Sequence, residues 1–167
     1  VTEYYLVISV IISIVYYSIY HFRNLLKFKV HYKKFLIFFI AAIYIIFSVI
    51  LFNLIPQSSL NVDRFSVITS FWDSYFNTDY VYIAISHLGN MPGPMPFYFL
   101  LALPFYFTGE LGFFSLLGLI VFVVILKYSK INLNNQIAGV LLITCSAFYL
   151  WETISRSNIF TNSSLIL

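Results

Sequence analysis

The chain has 167 residues, of which 61% are hydrophobic, 21% aromatic and only 9% charged, where a soluble domain carries about 25% charged residues. So little charge cannot cover a water-facing surface, and with a mean hydropathy of +0.92 the chain belongs in a bilayer. The net charge of +3 gives no reason to invoke nucleic acid, because membrane topology accounts for the basic clusters. The single Cys145 permits no intrachain disulfide and no metal-ligand spacing.

In chain order, residues 4–20 form an uncharged run bracketed by Glu3 and by His21 and Arg23. At about 1.5 Å per residue this run just crosses a core about 30 Å thick, with tyrosines at its ends. It lacks the small-residue cleavage site of a signal peptide. The next stretch, HFRNLLKFKVHYKK at 21–34, holds Arg23, Lys27, Lys29, Lys33 and Lys34, five of the nine basic residues. The positive-inside rule makes it a cytoplasmic loop. Residues 35–55, stopped by Pro56, are the clearest span.

An outer loop over 56–110 follows. Within it, Val62, Phe65, Ile68, Trp72 and Tyr75 recur at helical spacing, with Ser66, Ser70, Asp73 and Asn77 on another face. This predicts an amphipathic helix over about 62–77, its aromatics in the headgroup zone. Residues 95–107, MPFYFLLALPFYF, number 13 where a span needs about 20, and Pro104 interrupts them. They read as a half-inserted helix that starts and ends on the outer side, which requires cover by protein or a water-filled cavity.

Two further spans are expected at 111–126 and 137–151. The cytoplasmic link between them, 127–136, carries Lys127 and Lys130. The expected fold is all-α, a polytopic helical membrane protein with four spans and interfacial or half-inserted helices on its outer side. The chain starts at Val1 and stops at Leu167 inside an apolar stretch, so it reads as a fragment of one transmembrane domain. Its richness in Ile, Phe, Tyr, Lys and Asn is that of an AT-rich bacterial gene, which makes the bacterial inner membrane the expected location.

All three aspartates, Asp63, Asp73 and Asp79, fall within 61–80. A wet outer loop explains Asp73 and Asp79. Asp63 has two readings: a helix N-cap, or a carboxylate at the lip of the bilayer that takes a proton from a sugar hydroxyl. His87 precedes a proline- and glycine-rich helix entry, and reads either as an interfacial histidine or as a ligand for a phosphate or acceptor. Glu152 and Arg156, four residues apart in WETISRSN, are either a surface pair or an anion clamp using the planar guanidinium fork. Asn162-Ser163-Ser164 matches a glycosylation sequon.

An outer loop opened by an aspartate, amphipathic surface helices and then GPMPFYFLLALPFYFTGELGFFSLLG resemble the layout of GT-C superfamily glycosyltransferases. The likeness is to the bacterial branch related to protein O-mannosyltransferases and lipid A aminoarabinose transferases. It covers roughly residues 36–165, with Pro94 and Pro96 through Gly109 in the place of the family's proline-led segment. The resemblance implies transfer of a sugar from a polyprenyl-phosphate donor to a glycan, lipid or protein acceptor on the outer face, with inversion.

Asp63 would match the catalytic base, with Arg64 or Arg156 holding the lipid phosphate and His87 and Glu152 as further binding candidates. A phosphate leaving group does call for a nearby cation. No cofactor is assigned, and a divalent metal is left open. The partners expected are the lipid-linked donor, the acceptor and membrane lipids. Two rivals stand beside this reading: a transporter or flippase fragment, and a non-catalytic subunit whose outer loop docks a partner.

Overall fold

The computed structural model describes residues 2–23, 30–93 and 96–157, and every regular element among them is helical. The helices are α1 (Thr2–Phe22), α2 (Val30–Leu54), α3 (Arg64–Phe76), α4 (Pro96–Phe107), α5 (Gly112–Tyr128), α6 (Leu133–Thr144) and α7 (Ala147–Ile154). Short 3-10 turns lie at Gln57–Ser59 and Val81–Ile83. The sequon, Pro94 and Met95, and Lys27 and Lys29 of the first basic loop fall outside the described residues.

Among the described residues, α2 alone is long and apolar enough to cross a bilayer unaided. It has 25 residues, a mean hydropathy of 3.0 over its most apolar window, and only 28% of that window buried. Phe35, Phe39, Ile43, Ile46 and Ile50 stand exposed along it. An apolar surface of that extent marks a membrane or another apolar partner. The helix starts at Val30 rather than 35, because its polar first turns are anchored: Lys33 Nζ donates to Asn134 Oδ1 at 2.6 Å.

The segment expected to be half-inserted is α4. It bends 114° into α5 across a short break, and the two together have the length and composition of one interrupted span or a re-entrant hairpin. Gly109, with φ +74°, makes this reversal at little strain because it has no Cβ. Pro104 does not interrupt α4, which runs helically through it to Phe107. The proline costs only the donor that the Leu100 carbonyl would have received.

The fourth expected span, 137–151, is not one helix. It breaks at Cys145 and Ser146 into α6 and α7, inclined at 53°. The restart is local chemistry: Ser146 Oγ caps α7 by accepting from the Tyr149 amide at 3.2 Å. The expected link 127–136 shrinks accordingly, since α5 runs to Tyr128 and α6 starts at Leu133, where Asn132 caps it through the Asn134 amide.

Two cores hold the molecule. The first joins α2, α5, α6 and α7 through Ile37, Tyr44, Leu119, Val123, Ile137 and Tyr149. Inside it Tyr44 stacks on Tyr149, Tyr44 Oη bonds Thr153 Oγ1 at 3.0 Å, and Tyr149 Oη donates to the Ser115 carbonyl at 3.0 Å. The second joins α3 and α4 to the start of α5 through Ile68, Phe71, Trp72, Phe99 and Phe114. Its rings pack closely, with Phe71 on Phe99 at 4.0 Å, and Trp72 Nε1 donates to the Phe99 carbonyl at 3.1 Å.

This second core adds to the expectation for α3. The helix lies where the period predicted, and most of its aromatic stripe packs on α4. Only Tyr75 of the named stripe is largely exposed, at 58%. The hairpin of α4 and α5 supplies that apolar partner, and close-packed side chains gain dispersion.

Gly112 opens α5 against the Phe52 ring. A Cβ there would come within 2.4 Å of that ring, which is itself flanked by Phe113 and by the Arg156 guanidinium. Gly112→Ala is expected to destabilise the fold by about 1–3 kcal/mol through overpacking, read as a lower thermal midpoint in detergent. Gly139→Ala, where the nearest atoms lie at 3.8 Å, should leave the midpoint unchanged or higher.

Candidate functional site

Asp63 stands immediately before α3, and its carbonyl accepts the first helical bond, from the Val67 amide at 3.0 Å. Its side chain makes no capping bond, so the capping alternative is not what the fold uses. The carboxylate instead faces the Ser86–Asn90 turn. Oδ1 accepts from Ser66 Oγ at 2.7 Å; Oδ2 accepts from Ser86 Oγ at 2.6 Å and from Asn90 Nδ2. The turn closes on itself through Ser86 N to Asn90 O and Gly89 N to Ser86 O, each 3.0 Å, with Gly89 at φ +87°.

His87 belongs to the same cluster. Its Nδ1 lies 2.6 Å from Ser66 Oγ and 3.4 Å from Asp63 Oδ1, and its ring stacks on Phe65 at 5.2 Å. Ser66 has one proton and two Asp63 acceptors for it, Oδ1 at 2.7 Å and the main-chain carbonyl at 3.0 Å. With that proton on Asp63, it is the imidazole tautomer protonated at Nδ1 that donates to Ser66. Among the described residues Nε2 has no hydrogen-bond partner, and the imidazole side chain is 38% exposed. The result is a relay from histidine through serine to aspartate, ending in an accessible ring nitrogen.

Burial alone would raise the Asp63 carboxyl, but hydrogen bonds from Ser86, Ser66, Asn90 and the Leu88 amide outweigh it and hold the group below its ordinary value. The unfolded chain thus takes up the proton first. The stabilisation is complete above the ordinary aspartate value of about 4 and is lost as pH falls through the lower folded value. Amide exchange at Leu88 and Asn90 is expected to stay slow from neutral pH down to that range and to accelerate below it. Asp63→Asn should make the same amides fast at neutral pH.

Arg64, next in sequence, is exposed. One guanidinium nitrogen donates to Ser157 Oγ, and among the described residues its other N–H groups meet no acceptor. Ser157 Oγ in turn donates to Glu152 Oε1 at 3.2 Å. Glu152 is fully buried, which removes it from any surface pair. Arg64 borders a cavity of about 170 Å³ whose other walls include Ile68, Gly93, Tyr98 and Phe99.

Arg156 is paired with Glu110 and not with Glu152. It is 1% exposed and sits at φ +54°. Nε donates to Glu110 Oε1 at 3.1 Å and Nη2 to Glu110 Oε2 at 3.3 Å. Nη2 also reaches the carbonyls of Phe52 and Ile55, at 3.2 and 2.7 Å, and Nη1 reaches that of Ile154 at 2.7 Å. A guanidinium so engaged has no fork to offer a phosphate, and the anion-clamp reading of Arg156 and Glu152 fails on that ground. Arg156→Lys keeps the charge but not the fork; it is expected to cost about 3 kcal/mol or more, the scale for breaking a buried pair, measured by thermal unfolding in detergent.

Of the five residues picked from sequence, the fold thus brings Asp63 and His87 into contact, links Arg64 to Glu152 through Ser157, and assigns Arg156 to structure. Sequence reasoning missed Ser66, Ser86 and Asn90 around Asp63, and Glu110 beside Arg156. Ser66 had a signal, three residues after Asp63 and so on the same helical face. The others come together only through tertiary packing. Asp73, read as solvated, is exposed but accepts from Tyr106 Oη at 2.6 Å in an open groove of about 600 Å³. Among the described residues no three His, Cys, Asp or Glu side chains converge as a metal set.

No family model, no curated protein and no solved structure matches this chain. What the fold itself defines is a class: among the described residues, a helical protein with one helix long and apolar enough to cross a membrane unaided and two bent helix pairs of spanning composition.

Proposed function

We propose that the chain is part of a multi-pass inner-membrane glycosyltransferase that moves a sugar from a polyprenyl phosphate to an acceptor hydroxyl on the outer face, with inversion. The observation that carries the reading is the meeting of Asp63 and His87 across Ser66, beside the exposed Arg64. The GT-C-like layout of the sequence supports it. So does the segregation of charge: Lys34 and Lys127 share one end of the α2–α5 pair, while Glu110 and Arg156 close the other. With α2, α5 and the bent α6–α7 pair as crossings, the positive-inside rule puts Asp63 outside.

In this mechanism Arg64 binds the donor phosphate, and the adjoining apolar cavity takes the first part of the lipid. His87 Nε2 accepts the proton of the acceptor hydroxyl as its oxygen attacks the anomeric carbon. The carbon–oxygen bond to phosphate breaks, and the polyprenyl phosphate leaves with the electron pair. Asp63, ionised and hydrogen-bonded, orients the imidazole through Ser66 and faces the imidazolium that forms. This refines the simple picture of Asp63 as the base, since a carboxylate with four donors around it is a weak one.

His87→Gln is expected to lower sugar transfer by about 100-fold or more, the usual scale for losing a general base, in membranes carrying the full reading frame. Asp63→Asn should lower it as much, with expression and insertion unchanged. Full transfer activity in both variants would end this assignment.

One observation favours a second reading, a transporter. Glu152 is fully buried near the end of α7, in the bent α6–α7 pair, and an ionisable group within apolar helices often marks a transport path. Solute uptake by proteoliposomes that is lost in Glu152→Gln, without any sugar chemistry, would select it.

A further inference from the structure

At the end of α2 away from Arg156, Lys34 and Lys127 rim a crevice of about 200 Å³ together with Tyr128 and Gln136. Phe38 and Val123 form its walls. The same two residues also line a second groove between α2 and α5, about 320 Å³ and wholly apolar, floored by Ala41, Ala42, Leu119 and Ile120. Crevice and groove therefore adjoin at Phe38 and Val123. Ala41 and Ala42 lie between Phe38 and Ile45 on the α2 side of this groove, and their methyl side chains take up little of its space.

The charge at the mouth is uncompensated. No Asp or Glu lines either cavity. Among the described residues neither lysine forms an ion pair, and Lys127 Nζ rests only over the Tyr128 ring, at 5.6 Å. Lys33, their neighbour, is by contrast tied to Asn134. Two ammonium groups without an ion pair, one at the polar start of α2 and one in the last turn of α5, beside an apolar groove call for an occupant with an anionic head and a hydrocarbon tail.

We propose that this composite cleft binds an anionic phospholipid, its phosphate between Lys34 and Lys127 and one acyl chain along Ala41 and Ala42. Basic pockets between transmembrane helices hold such headgroups by the same attraction. A zwitterionic lipid would bring its own ammonium against the lysines, and a free phosphate would leave the groove unused. The site rests on α2 crossing the membrane and is independent of sugar transfer.

The test is native mass spectrometry of the delipidated chain in detergent, titrated with phosphatidylglycerol, phosphatidylcholine or tail-free glycerol phosphate. Phosphatidylglycerol should bind at least about tenfold more tightly than phosphatidylcholine, and glycerol phosphate should not bind at the same concentrations. The pair Lys34→Gln and Lys127→Gln should remove most of that preference, roughly tenfold or more given the worth of each lysine near an anionic headgroup. Ala42→Phe, which fills the groove, should weaken binding of phosphatidylglycerol with both lysines in place. The pair Lys33→Gln and Lys130→Gln removes equal charge outside the cleft and should change little. Equal binding of the two lipids, binding of glycerol phosphate as tight as that of the lipid, or equal losses in the two lysine pairs would each overturn the proposal. The lipid comparison is made on the unaltered chain, so it stands even if a variant misfolds.

Discussion

The arrangement of these helices depends on one buried cation. The last carbonyls of α2 have no intrahelical donors, and the negative end of the helix dipole gathers there. The helix supplies no basic residue of its own in its last turn. Arg156 does so from the far end of the sequence, bonding the carbonyls of Phe52 and Ile55. The same guanidinium grips Glu110 at the turn between α4 and α5 and lies 4.9 Å over the Phe52 ring. An unpaired charge in this setting would be prohibitive. Five hydrogen bonds and a carboxylate make it tenable, and they also hold Arg156 in a left-handed backbone conformation that a non-glycine residue adopts only when its surroundings impose it.

The candidate site inherits its position from this staple. Ser157 follows Arg156 directly, and its hydroxyl receives Arg64 while donating to Glu152. The start of α3 is thereby fixed to the end of α7, although nothing in the local sequence of either helix requires it. Fixing α3 in turn fixes Asp63, and Asp63 gathers the Ser86–Asn90 turn with His87. Glu110, by securing the α4–α5 turn, also keeps Phe99 and Phe114 beneath Trp72 and Phe71. The two cores both draw on α5, and these polar groups couple them further.

Local signals were legible in the sequence and long-range polar pairing was not. The apolar run of α2, the basic clusters around it, the 3.6-residue period of α3 and the shortness of α4 each follow from neighbouring residues. The α6–α7 break was hidden because hydropathy averages straight across Cys145 and Ser146. The capping serine there was readable, but the unbroken apolar run outweighed it. Glu152 and Arg156 misled for a related reason. Spacing of four residues makes a pair only if the helix continues, and α7 ends at Ile154, so Arg156 turns away to Glu110. For Asp63, the position before a helix suggested a cap, yet serine and asparagine donors from the Ser86–Asn90 turn outcompeted the helix amides.

That competition bears on what Asp63 is able to do. A capping aspartate would spend its oxygens on backbone amides and leave nothing for a neighbour. Here three of its four donors are side chains, and one of them, Ser66, passes the interaction on to His87. Its ionised state is secured by the same hydrogen bonds that orient the histidine, so the two roles need no separate support. The exposed end of the relay is the imidazole and not the carboxylate. If chemistry occurs at this rim, its proton is handled by a group that sequence reading had placed in a binding role, and the aspartate that drew attention first serves as its anchor.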